Sequence, residues 1–112
     1  MRQRIESVMK IDEDGNPAGG TSKAIGIDIR WQDGPIPKTE KGEPMQSPNG
    51  AFVEGVIEAA IQRIQFFQTA TNGKFACRQN ALALTKLEEA LHWLDDRTAE
   101  RIKRNVEGSH QV

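Results

Sequence analysis

The chain has 112 residues, 37% of them hydrophobic and 28% charged, with 15 basic and 16 acidic side chains giving a formal net charge of -1. So little apolar material in so short a chain makes a thin core, and contacts between subunits are expected to bury faces that one chain cannot. The charge balance argues against a generic binder of nucleic acid polymers, the lone Cys77 excludes an internal disulfide and suits a reducing cytoplasm, and no stretch has the length of a membrane span or the form of a signal peptide.

Residues 4–11 alternate loosely, with Ile5, Met9 and Ile11 to one side. Asp12, Glu13, Asp14, Gly15, Asn16 and Pro17 read as a turn, prolonged by Ala18, Gly19 and Gly20. Residues 24–31 alternate strictly: Ile25, Ile27, Ile29 and Trp31 face one way, Gly26, Asp28 and Arg30 the other. Two such segments predict an antiparallel β-hairpin over residues 1–31, which must pack on something to be stable. Residues 32–50 carry four prolines and three glycines and form a loop long enough to suggest function or mobility. Ser47 or Asn49 can cap the helix after it.

That helix is expected over residues 51–69. Val53, Ile57, Ala60, Ile61, Ile64 and Phe67 supply a broad apolar face, widened by Phe52, Val56 and Phe66. Asn72 and Gly73 stop it. A second helix runs from about Asn80 to Val106, with Leu84, Leu87, Leu91, Leu94 and Thr98 on one face and the small Ala83 and Ala90 beside them. Gly108 marks its end, and residues 109–112 read as a frayed tail. Two long helices joined by a short link predict an antiparallel helical hairpin over residues 51–108. The expected whole is one α+β domain spanning residues 1–112, oligomeric.

Several chemistries are missing from the sequence. One cysteine and two distant histidines cannot make a tetrahedral zinc site, and neither a phosphate-binding Walker loop nor a dinucleotide fingerprint occurs. Cys77 and His92 lie roughly 22 Å apart at helical rise, too far to work as a nucleophile and base within one subunit. Cys77 reads instead as a small buried packing residue, and His92 as an exposed or interfacial one.

Arg97, Arg101 and Arg104 recur at helical spacing and share a face. Two readings are open. Cations near a helix C-terminus oppose the macrodipole favourably, worth roughly 0.3–1 kcal/mol, and Arg97 and Arg101 can pair with Asp95, Asp96 or Glu100. A row of rigid guanidinium forks also suits phosphate. Asn80 sits roughly 26 Å away along the same helix, so no small ligand touches both ends within one subunit. If both serve one site, two such helices must run antiparallel from different subunits. Phe67 or Phe75, near the turn and hence near Asn80, could then stack on a base, although Phe67 equally suits the apolar face of its helix.

The order and spacing of several segments resemble a phage immune-evasion family, the Thoeris anti-defence protein 1 family, and its relative anti-CBASS protein 2. The segments are Ile27-Asp28-Ile29-Arg30-Trp31-Gln32-Asp33-Gly34-Pro35, Asn49-Gly50-Ala51-Phe52-Val53-Glu54, Arg63-Ile64-Gln65-Phe66-Phe67-Gln68, Cys77-Arg78-Gln79-Asn80, Leu94-Asp95-Asp96-Arg97-Thr98-Ala99-Glu100-Arg101 and Val106-Glu107-Gly108. The resemblance runs from about Ala24 onward. It implies a non-catalytic sponge in the host cytoplasm, needing no cofactor or metal, that holds a cyclic nucleotide signal of the glyco-cyclic ADP-ribose type, with some members also holding cyclic trinucleotides. It implies dimers, commonly grouped into hexamers, with pockets between subunits. Asn80, Arg97 and Arg101 match the family's ligand-binding residues, and either Phe67 or Phe75 matches its aromatic. Arg104 joins them by position on the same helix face rather than by resemblance.

Overall fold

The computed structural model describes residues 1–36 and 38–109, with side chains through Arg104. It divides into a sheet unit, Met1–Phe52, and a helical unit beginning at Val53. Three strands, β1 (Glu6–Ile11), β2 (Pro17–Ala24) and β3 (Ile27–Asp33), precede two helices, α1 (Val53–Gly73) and α2 (Arg78–Ser109).

The amino-terminal region is a three-stranded antiparallel sheet in the order β1-β2-β3, not the two-stranded hairpin expected from hydrophobic alternation. The turn after β1 is shorter than its composition suggests. Asp12 closes it, because its Oδ1 accepts from the N–H groups of both Asp14 and Asn16 at 2.9 Å. The chain is therefore extended again from Pro17, and the Gly19-Gly20-Thr21-Ser22 run becomes the central strand. A slim strand suits that position. A Cβ on Gly20, at φ +132°, would collide with the Val8 carbonyl oxygen of β1. Ser22, buried, takes a hydrogen bond from Trp31 Nε1 on β3 at 2.8 Å and shares another with Ser7 on β1 at 2.7 Å. One hydroxyl thus ties all three strands. Ile27, Ile29 and Trp31 are half-buried in the predicted alternation, whereas Ile25 stands in the two-residue turn between β2 and β3, fully outside.

The loop after β3 is tied at its neck. Asn49 and Gly50 donate their N–H groups to Gln32 Oε1 (2.9 and 3.2 Å), while the Asn49 carboxamide accepts from Asp33 N–H (2.8 Å) and donates to Asp33 C=O (3.0 Å). Asn49 therefore closes this loop rather than capping α1. Ala51 then pairs in parallel with Trp31 along the outer edge of β3. The approach demands glycine at position 50, where a Cβ would lie 2.5 Å from the Trp31 carbonyl. Within the loop, Lys38 pairs with Pro44, and Thr39 holds the turn through Glu43 and Gly42. The described residues of the segment are thus bonded to one another and, at the neck, to β3.

In the helical unit, helical dihedrals of α1 end at Thr69. Ala70 is extended (ψ 144°), and Thr71 and Asn72 are left-handed (φ 53° and 56°). Gln68 fixes the link into α2: its Oε1 accepts from Cys77 N–H at 2.9 Å and its Nε2 donates to Cys77 C=O at 3.1 Å. Cys77 is consequently exposed at the head of α2 rather than buried in packing, and its Sγ receives the Asn80 N–H at 3.4 Å, a thiol standing in for the usual hydroxyl cap. Helix α2 continues past Gly108 to Ser109, and residues 110–112 of the expected tail lie outside the described residues.

The two helices pack through Ile57, Ala60, Ile61, Ile64 and Gln68 of α1 and Ala83, Leu84, Leu87, Leu91 and Leu94 of α2, all at least half-buried. Ile61, 4% exposed, is the one buried hydrophobic side chain among the described residues. Val53, Phe67, Ala90 and Thr98, expected on the seam, are exposed instead.

Two outcomes test these ties. Gly20→Ala should lower the stability of the sheet by about 2 kcal/mol or more, seen as a fall in the urea midpoint, because the new Cβ meets backbone that cannot move aside. Gln68→Ala should lower stability by about 1–2 kcal/mol and speed amide hydrogen exchange at Cys77, whose N–H loses its partner.

Candidate functional site

The α1 and α2 register follows from a shared groove of about 370 Å³, which Glu58, Ile61 and Gln65 of α1 line together with Glu88, Leu91, His92 and Asp95 of α2. Helix α1 begins only five residues before Glu58, so its first turn lies opposite the region of Glu100. The remaining turns of α2 continue beyond it. Arg101 and Arg104 therefore project on a helical end that α1 does not cover, and Arg97 lies at its border. All three are exposed. The one salt bridge among the described residues joins Lys86 and Glu89 at 3.7 Å, so the local pairing of Arg97 or Arg101 with Asp95, Asp96 or Glu100 does not form.

Asn80 lies at the opposite end of α2, in its first turn and half-buried. The continuous helix between them fixes the separation from Arg97 at roughly 26 Å. One chain thus holds the two predicted halves of the site well apart. Phe67 and Phe75 accompany the Asn80 half. Phe67 lies on the turn of α1 that carries Gln68, and Gln68 is hydrogen-bonded to the start of α2. Phe67 is 38% exposed and Phe75 55%, so neither is consumed by the core. Phe66 and Phe67 stand 5.8 Å apart, ring centre to ring centre, and the Arg63 guanidinium lies over both, 5.2 Å from Phe66 and 4.8 Å from Phe67. Lys74 approaches Phe75 at 5.6 Å.

Neither of two concavities on the chain includes the predicted site residues. The helical groove is acidic, and among the described residues no cluster of histidine, cysteine, aspartate and glutamate has metal-binding geometry. The other, about 350 Å³, lies on the sheet unit between Lys10, Arg30, Trp31 and Asn49. Cys77 and His92 are both exposed and belong to different parts of the hairpin, Cys77 heading α2 and His92 sitting edge-on to Trp93. No helix among the described residues is long and apolar enough to cross a membrane.

Arg63 is the residue that spacing alone did not single out. A signal was present: an arginine three and four positions before two phenylalanines on one helix places all three within reach.

Comparison with known proteins agrees with the sequence order of these elements. The pattern of the family described as "Acb2/Tad1, hairpin domain" matches residues 23–99, from the end of β2 through most of α2. A curated relative, "Thoeris anti-defense 1" of Bacillus phage SBSphiJ7, is 45% identical over 101 residues, covering 83% of this chain and 64% of the relative, so the chain spans a little under two thirds of that protein's length. The chain belongs to the Acb2/Tad1 hairpin-domain family.

Proposed function

We propose that this protein is a phage anti-defence sponge, which binds a cyclic nucleotide immune signal in pockets between its subunits and keeps it from the host's effector without cleaving it. The observation that carries this reading is the division of the site along α2. Asn80 and a half-exposed phenylalanine stand at one end, and a row of exposed arginines without carboxylate partners among the described residues stands at the other, roughly 26 Å away. Two chains running antiparallel bring each end against its opposite and make two equivalent pockets. In each, guanidinium forks from one subunit would meet a diphosphate, while the Asn80 carboxamide and Phe67 or Phe75 of the other would hold a base.

The exposed surface favours assembly. Phe52, Val53, Phe66, Phe67, Leu82 and Trp93 are each more than a third exposed in the single chain, which leaves apolar surface for a partner subunit to cover. A dimer, itself grouped into a hexamer, would bury these faces. The name of the Bacillus phage relative supports the anti-defence role, and a ligand of the glyco-cyclic ADP-ribose type fits the combination of base and diphosphate. Catalysis finds no support in the disposition of Cys77 and His92. A second reading keeps the assembly and drops the ligand, with Arg97, Arg101 and Arg104 forming salt bridges only across subunits. The uncovered end of α2 is compatible with that as well.

One experiment separates these readings. The protein is incubated with glyco-cyclic ADP-ribose, freed of excess, denatured by heat, and the released nucleotide is analysed. Intact nucleotide is the expected result; altered nucleotide would make the protein an enzyme, and no capture across a panel of cyclic nucleotides would leave only assembly. Asn80→Ala and Arg97→Ala should each weaken binding at least tenfold, about 1.4 kcal/mol or more, while light scattering shows an unchanged oligomer.

A further inference from the structure

Arg63 occupies an unusual setting for an exposed arginine. Its guanidinium lies 4.8 Å from the centre of the Phe67 ring and 5.2 Å from that of Phe66, within the range of cation–π attraction to both. The rings stand at 59° to one another, so together they form a corner that holds the cation from two sides. The guanidinium has no carboxylate partner among the described residues, where the one salt bridge is Lys86 to Glu89. Its five N–H donors are therefore oriented by the rings but not used by any anion among the described residues.

The position of this corner gives it meaning. Phe67 precedes Gln68, and Gln68 is bonded to Cys77, three residues before Asn80. Arg63 is one helical turn before Phe67. The Ile61–Leu91 pairing puts the Arg63 backbone nearly level with Glu89, between the two ends of α2, and the guanidinium held over Phe67 is carried from there toward the Asn80 end. Desolvation of the cation points the same way. Assembly that covers Phe66 and Phe67 would also take Arg63 out of water, and a desolvated guanidinium requires an anion. The diphosphate of a bound nucleotide supplies one.

We propose that Arg63 is a ligand-contacting cation of the intersubunit pocket: Phe66 and Phe67 hold its guanidinium so that the free N–H edge grips a phosphate of the bound nucleotide from the Asn80 side, opposite the Arg97 and Arg101 of the other subunit. This rests on the pocket described under the proposed function. It adds a further guanidinium to the phosphate clamp and, with Phe67 as the support of that cation, leaves Phe75 to stack on the base.

The test is titration calorimetry of the full-length protein with glyco-cyclic ADP-ribose over a range of salt concentrations, for wild type, Arg63→Met, Arg63→Lys, Phe67→Leu and Arg97→Ala. Arg63→Met keeps the apolar stem and should weaken binding at least tenfold, with a shallower dependence of log Kd on log salt, because one phosphate contact is lost. Arg63→Lys keeps the charge without the planar fork and should recover only part of the loss. Phe67→Leu should weaken binding too, and combining it with Arg63→Met should cost little more than the worse single change, because the ring acts through the cation. If Arg63→Met and Arg63→Lys both bind within twofold of wild type with an unchanged salt slope while Arg97→Ala is weakened, the pocket stands and Arg63 is only packing against its rings. If wild type itself takes up no nucleotide, the pocket fails and the role of Arg63 fails with it.

Discussion

The two hydrogen bonds from the Gln68 carboxamide to the backbone of Cys77 determine where everything on the second helix falls. They hold the link after Thr69 in its left-handed turn, start α2 at Arg78, and so set Ile61 against Leu91 and Asn80 beside the Phe67 end of α1. Strain accompanies this. Thr71, β-branched, sits at φ 53°, a conformation that costs on the order of 1–3 kcal/mol and persists only where the surroundings impose it. Because α1 starts where it does, α2 outruns it, and the arginine-bearing end extends past the first turn of α1.

A shortage of core runs through the molecule. With a single buried hydrophobic side chain among the described residues, polar clasps perform work that packing performs elsewhere. Gln68 closes the helical hairpin, Ser22 links three strands, and Gln32 with Asn49 draws the long loop shut. Each clasp is satisfied on both sides, and no buried side-chain polar atom among the described residues lacks a partner. Each unit is thus held by polar ties while apolar and basic side chains remain outward.

The parts of this fold that sequence made legible are those where hydrophobic period and burial agree. The helical seam of Ile57, Ile61, Ile64, Leu84, Leu87 and Leu91 follows directly from spacing, as does the alternation of Ile27, Ile29 and Trp31. The central strand is hidden because Gly19, Gly20, Thr21 and Ser22 carry no apolar period: they are chosen for slimness and for one hydroxyl, and such residues read as a turn. Phe67 and Thr98 fit the helical period yet lie exposed, since period describes a face and cannot say where the partner helix ends or which flank it leaves open. Cys77 misleads for a similar reason, a small apolar residue by type but a cap by position. As for the site, the distance between Asn80 and the arginines is readable from helical rise alone. Spacing also brings Arg63 within reach of Phe66 and Phe67, but that it settles over both rings depends on the rotamers of three side chains.

The central claim is that one pocket draws on two chains, and mixed assemblies address it directly. The Asn80→Ala and Arg97→Ala chains, each carrying a different tag, are produced together, and the doubly tagged species is purified and titrated with glyco-cyclic ADP-ribose. In a shared pocket, one of the two sites in a mixed dimer unites the intact Asn80 of one chain with the intact Arg97 of the other. The account predicts that the mixed dimer regains binding of wild-type affinity at half the wild-type stoichiometry; a mixed dimer that binds no better than either variant alone would contradict it.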